Sequence, residues 1–278
     1  MRKPQFFEFG LPAVLFHRAK KVLRNLALKL GGISLILGSL LLAWHLIIFG
    51  FSPEPWLFPP PNDVWSRLGE LWRSGVLQPH LTMTLTEILA GYAAGIGLSF
   101  LVGYTISQQP LLERLITPYL VVANSVPLVA FAPLLLLWLG NGITAKIVVT
   151  ALIVFFPATI STINGFHAQT AMHQRMMRCL GAKKWQRFLF LELPSALPGI
   201  FAGMKIGAPL AVVGAVVGEF LGTGQGLGHL ILEANGLMDT PQLFVTILVL
   251  GTVGVVFYSL IALAEQIFIG PWAEKNRR

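Results

Sequence analysis

The sequence predicts an all-α membrane protein with six transmembrane helices, and three observations carry that expectation. Hydrophobic residues make up 55% of the 278 positions and charged residues only 12%, about half the charged share of a typical soluble domain. The mean hydropathy is +0.72. The apolar residues also fall into runs of about 20 or more, the length a helix needs to cross the hydrocarbon core. Such a composition excludes an ordinary soluble enzyme and a disordered chain. The lone cysteine, Cys179, excludes a disulfide framework and a cysteine-based metal cluster. The net charge of +8 is expected on the cytoplasmic side of a membrane and is not read as nucleic-acid binding.

Taken in order, residues 1–29 carry Arg2, Lys3, Arg18, Lys20, Lys21, Arg24 and Lys29, with apolar residues at helical spacing between them. They read as a cytoplasmic basic segment that anchors to anionic lipid; a partner-binding helix is the other reading. No cleavable signal peptide is expected, because the next apolar run is long enough to span and no Ala-x-Ala-like site follows it. The transmembrane domain is expected over 30–272, with a cytoplasmic tail at 273–278. Gly31 to Phe51 is free of charge and ends at Ser52-Pro53-Glu54-Pro55. The proline-rich stretch from Phe51 to Pro61 reads as a stiff external loop with Trp56 at the interface. The remaining spans are expected at Leu81–Ser107, Tyr119–Leu139, Ile143–Asn164, Ala196–Leu221 and Leu243–Ile269. Several contain proline, which neighbouring helices can tolerate in a bilayer.

Six spans place both termini inside, and charge agrees. The segments assigned to the cytoplasm collect sixteen of the 20 Lys and Arg residues, and the outer segments hold only Arg67 and Arg73. The outer segments instead carry Glu54, Asp63, Glu70, Glu219, Glu233 and Asp239. This is the asymmetry of the positive-inside rule.

The cytoplasmic loop 165–194 is too long for a plain connection. Thr170 can cap a helix through Met172 and Met176, Gly181 can end it, and a second helical pattern through Trp185 and Phe188 is expected to stop at Pro194. Two short helices joined at a glycine make a rigid knob whose apolar groups suit burial by a partner. Within the spans, Glu87 and Lys205 are costly charges, read either as functional groups or as a structural ion pair or snorkelling lysine. Glu219 is read as a gate or pathway contact, or as a docking group. Asn124, Ser125, Pro127 and Trp138 lie near a proline-broken span and are candidate pathway residues. His45, His80 and His229 have no metal-site spacing and read as packing or capping groups. Gly222 to Gly228 lacks the Lys-Ser/Thr of a phosphate loop and reads as a turn before a short helix. Gly91, Gly95, Gly97 and Gly103 permit close helix approach.

These residues carry a resemblance. Gly181, Leu191 and Leu193-Pro194 fit Gly-x9-Ile-x-Leu-Pro, which marks the coupling loop of the permease subunits of bacterial ATP-binding-cassette importers. Pro59 to Trp65, His80 to Leu85, Ser125 to Leu134, Trp138 to Gly142, Phe155-Phe156-Pro157, Val217 to Phe220 and Gly226 to Ile231 resemble the nitrate/sulfonate/taurine branch. The resemblance covers about residues 58–272. It implies that Arg175, Met176, Met177, Arg178, Leu180, Gly181, Ala182, Trp185, Leu191, Leu193 and Pro194 form a loop that seats on a separate ATPase. ATP would be held by that subunit, since this chain has no Gly-x4-Gly-Lys-Ser/Thr loop; no cofactor or metal is expected here. The other partners implied are an external binding protein, a second copy of the chain and the bilayer. The location implied is the bacterial inner membrane. One departure stands out: the family's Glu-Ala-Ala is here Arg175-Met176-Met177, which suggests a partner groove of altered charge or a mainly apolar contact.

A permease subunit, not an enzyme, is therefore expected. An ion-coupled secondary transporter predicts inverted repeats with paired ionisable residues, and an intramembrane enzyme predicts converging His, Asp or Ser groups; the sequence displays neither pattern. The branch handles nitrate, sulfonates, taurine and heterocyclic vitamin precursors. Val217-Gly218-Glu219-Phe220 and Gly226 to Ile231 look closer to permeases for pyrimidine or flavin precursors, and the few cations in the spans suit a neutral or aromatic cargo.

Overall fold

A computed structural model describes residues 38–39, 41–51, 53–54, 56–169, 171–222 and 224–273. The basic segment 1–29, the expected cap Thr170 and residues 274–278 lie outside the described residues. Among the described residues every regular element is helical. The chain divides into two compact units, 1–63 and 64–278.

In the first unit, α1 (Leu41–Phe51) is the described part of the first apolar run. The Trp44 indole N–H donates to the Pro59 carbonyl at 3.1 Å, and its ring meets Phe58 edge-on at 5.9 Å. The proline-rich segment is thus pinned to the helix it follows.

The second unit is built on α3 (Leu77–Ser107), α6 (Ile143–His167) and α9 (Leu193–Leu221). Glycines let these backbones touch. A methyl group on Gly91 would strike Thr150, on Gly95 the Ala151 carbonyl and Val154, and on Gly103 Thr162. Contact positions rise together along both helices, so α3 and α6 run parallel. On α9 the order reverses: Gly199 meets Gly165, Gly203 meets Ser161, Gly214 meets Thr150 and Gly218 meets Lys146. Three of the four expected small residues of α3 therefore serve packing inside this unit, while Gly97 faces open space. Ile88, Tyr92, Val154, Ala208, Ala211 and Ala215 fill the centre of the seam.

Around this core lie α2 (Pro61–Arg73), α4 (Pro110–Ser125), α5 (Ala132–Leu139), α10 (Leu227–Gly236) and α11 (Thr240–Ala273). Four helices are long and apolar enough to cross a membrane, or five if α4 and α5 form one bent span. The single span expected at 119–139 is replaced by that pair, bent by 80° across Val126-Pro127 and a 3-10 turn at Leu128–Phe131. Pro127 has no N–H to continue the ladder and holds Val126 extended at φ −77°, ψ 131°. Arg67 of α2 reaches Asp239 and donates to Gln242 at 3.0 Å, which pins α2 to the start of α11. Much of α11 stays uncovered, with Val255, Leu263 and Ile267 more than half exposed, as suits a helix bathed in lipid.

Candidate functional site

At the end of the bundle where α3 and α6 terminate, the chain builds the knob. α7 (Ala171–Cys179) closes with a paired set of bonds: Ala182 N–H to the Met177 carbonyl and Gly181 N–H to the Arg178 carbonyl, each 3.0 Å. That closure needs a left-handed residue, and Gly181 supplies φ +67°. α8 (Lys184–Arg187) starts at once, with the Lys183 N–H donating to Gln186 Oε1 at 2.8 Å.

The second helix does not stop at Pro194, as its sequence suggests. A single π turn at Phe188–Glu192 carries α8 straight into α9, and Leu193 N–H bonds to the Phe188 carbonyl five residues back. The wider turn provides room for a proline that has no N–H and whose ring crowds the carbonyl four residues before it. Lys184–Leu221 is one run of 38 residues. The knob is therefore one free helix, α7, plus the projecting end of a spanning helix.

Its base is bound to the bundle. Tyr104 of α3 packs on Phe166 of α6 at 5.1 Å and on Phe188 of the π turn at 5.0 Å. Buried Glu192 pairs with Arg187 at 2.6 Å and accepts from Gln108, the residue that caps α3, at 3.3 Å. Beside this base lies a polar cavity of about 420 Å³, lined among others by Gln108, His167, Gln169, Gln174 and Arg178. The outer surface is apolar and basic. Met172 and Leu180 are both 73% exposed, and Met176 and Trp185 more than half. Met177, Ala182, Leu191, Leu193 and Pro194 are half-buried beneath them.

The opposite end of the bundle holds charges of another kind. Glu87 of α3 and Lys146 of α6 pair at 3.1 Å, with side chains 0% and 1% exposed. Glu219 of α9 is equally buried. It accepts from the Thr84 hydroxyl and from the Gly228 N–H, both at 2.5 Å. Thr84 in turn accepts the Leu227 N–H at 2.8 Å, and Lys146 donates to the Gln225 carbonyl at 3.2 Å. Gly226, at φ +147°, leaves no space for a Cβ, which would overlap the Glu219 carboxyl group. His80 Nδ1 accepts the Gly226 N–H at 3.1 Å and its ring stacks on His229 at 6.3 Å. The glycine-rich turn leading into α10 is thus tied down by a closed polar cluster.

Residues 95–268 match the family described as binding-protein-dependent transport system inner membrane component. The chain belongs to that family. It is 35% identical over 238 residues to the riboflavin transport system permease protein of Chloroflexus aurantiacus, covering 86% of this chain and 89% of the relative. It is 35% identical over 223 residues to the formylaminopyrimidine transport permease protein of Halalkalibacterium halodurans, covering 80% and 88%. Against the taurine transport system permease protein of Escherichia coli it is 27% identical over 235 residues, covering 83% and 84%. The protein is a multi-pass inner-membrane permease subunit of an ATP-binding-cassette importer.

In this permease the candidate pathway residues do not form one site. Asn124, Ser125 and Pro127 sit exposed at the α4–α5 break, with Ser125 bonded to the Val121 carbonyl at 2.9 Å. Trp138 lies at the far end of α5, 70% exposed, beside an apolar cavity of about 370 Å³ that Val126, Phe131 and Phe156 also line. Glu87 and Glu219 belong to the closed cluster, and Lys205 pairs with Glu265 of α11 at 2.6 Å. Three participants were not singled out from sequence. Lys146 could have been found as a charge inside an apolar run, and Glu192 as the lone acid in Phe188 to Pro194. Thr84 carried no such signal.

Proposed function

We propose that this permease couples an ATPase to solute import through the knob formed by α7 and α8. The supporting observation is the join between knob and spans: α8 runs into α9 without a stop, and Tyr104 and Glu192 fasten its root to α3 and α6. A push on such a knob is delivered to three helices at once. Leu180, Gly181, Ala182 and Trp185 are then the seating surface, and Leu191, Leu193 and Pro194 the root. This chain hydrolyses nothing; ATP is bound and cleaved on the partner.

The α1 helix extends a first span, which brings the total to six, with both termini and the knob cytoplasmic. Residues 1–29 lie along the inner leaflet, 30–272 form the permease domain and 273–278 the tail. Two copies enclose the path, two ATPases seat beneath them, and an external binding protein delivers the cargo. The α4–α5 break, with Asn124, Ser125 and Pro127 at its bend and Trp138 beyond, is the part offered to the path, because broken helices expose polar backbone.

The cargo is a nitrogen heterocycle of the flavin or pyrimidine-precursor class. The relatives named for riboflavin and formylaminopyrimidine are 35% identical, against 27% for the taurine relative.

The test is co-purification of the tagged full-length chain from its own host. One ATPase per permease, lost on Gly181→Glu with Leu180→Glu while the permease stays folded, supports the coupling reading. A permease that purifies without any ATPase refutes it. Uptake with the associated binding protein then tests the cargo: stimulation by sulfonate or nitrate alone excludes a heterocycle.

A further inference from the structure

We propose that the ATPase groove receiving this knob is acidic, and that Arg175 and Arg178 are the residues that read it. The inference rests on the coupling reading above and adds the chemistry of the partner surface.

From Ala171 to Leu191 the chain carries Arg175, Arg178, Lys183, Lys184 and Arg187 and no Asp or Glu. The first carboxylate, Glu192, is buried and already held by Arg187. Arg175, Lys183 and Lys184 are exposed and make no ion pair or side-chain hydrogen bond among the described residues. Among the described residues Arg178 meets Gln174, at 3.5 Å. Arg175 and Arg178 stand one turn apart on α7, so like charges are neighbours. Among the described residues no carboxylate offsets them.

Met172, Met176 and Leu180 follow the i, i+4, i+8 spacing of one helix face, with Arg175 at its edge beside Met172 and Arg178 one turn further round. An exposed apolar face flanked by unpaired guanidinium groups fits an apolar groove rimmed with carboxylates. Arginine suits this task because its planar fork holds a carboxylate with two parallel bonds. The cavity beside α7 is lined by Arg178 together with Arg187 and Glu192, and Glu192 is already held by Arg187, so the cations free for a partner are those on the outer surface. A groove lined by Arg or Lys would face like charge at every position and be rejected. The reversal of the family's acidic residue at Arg175 thus acts as a key for one ATPase.

The experiment uses the full-length permease with the ATPase that co-purifies from the native host. Arg175→Glu with Arg178→Glu is expected to lower ATPase recovery at least about tenfold, and raised salt to lower wild-type recovery in the same direction. Arg175→Lys with Arg178→Lys is expected to keep recovery within a fewfold of wild type. That double variant also permits carbodiimide coupling between the substituted amines and partner carboxylates, and peptide mass spectrometry should then join α7 to Asp or Glu of the ATPase. Equal recovery with the charge-reversed variant, or an intact lysine-variant complex with no such cross-link, overturns the inference and leaves the coupling reading standing. Wild-type permease that brings down no ATPase overturns the coupling reading first. A loss confined to nanodiscs of anionic lipid and absent in detergent assigns the cations to lipid and also overturns the inference.

Discussion

The two ends of the helix bundle treat charge in opposite ways. At one end Glu87, Lys146 and Glu219 are sealed from solvent, and the loop hydrogen bonds close around them. At the other end Arg175, Lys183 and Lys184 stand in solvent with no partner among the described residues. The contrast follows from dielectric cost. A buried charge must find its complement inside the fold, because removing either partner leaves the other stranded. An exposed charge bears no such penalty and can be kept for an external contact. Buried charge here holds a loop in place, and exposed charge is available for recognition.

Variants can break this contrast. The largest effect is expected from Lys146→Met, which strands the buried Glu87 carboxylate and should cost about 3–5 kcal/mol. Loss of monodisperse protein on heated size-exclusion chromatography would register it, and Lys146→Met with Glu87→Met should recover much of the loss. If Lys146→Met alone is as heat-stable as wild type, the cluster is not the lock described here. Next comes Gly226→Ala, whose methyl group overlaps Glu219. It should destabilise by about 1–3 kcal/mol, and Gly97→Ala, in open space, should not. Gly181→Ala comes third, at about 1 kcal/mol through its positive φ. It should loosen α7 and weaken ATPase association while the melting of the spans stays unchanged; a matching fall in both would show that the knob and bundle are one cooperative unit. The smallest effect on stability is expected from Arg175→Ala, within about 0.5 kcal/mol, with ATPase association clearly reduced. A variant that melted early would place Arg175 in the fold instead of at a partner surface.

The apolar runs disclosed the helical class and the positions of most long helices, because a span must be continuously apolar wherever it lies in the chain. The Gly181 closure was equally legible, being a local demand on one φ angle. What could not be read was tertiary. Thr84 and Glu219 are 135 residues apart and meet only because α3 and α9 both pack on α6. Lys146 is visible as a charge in an apolar run, but its pairing with Glu87 appears only once α3 is packed against α6. The 80° bend at Pro127 and the continuity past Pro194 are the converse pair: proline at one site broke a helix and at the other was absorbed by a π turn. At Pro127 an extended Val126 ends the helix, and at Pro194 a π turn keeps it running, an outcome that the proline alone does not announce.

The backbone contact of Gly165 with Gly199 has a mechanical meaning. It divides the rod Lys184–Leu221 into a shorter arm of roughly 22 Å toward the knob and a longer arm of roughly 33 Å toward Leu221, at 1.5 Å per residue. The same close approach recurs where Gly203 meets Ser161, Gly214 meets Thr150 and Gly218 meets Lys146, so α9 is seated on α6 along the whole of the longer arm. A rod seated in this way has no room to bend away from α6, so its knob end and its Glu219 end are mechanically joined.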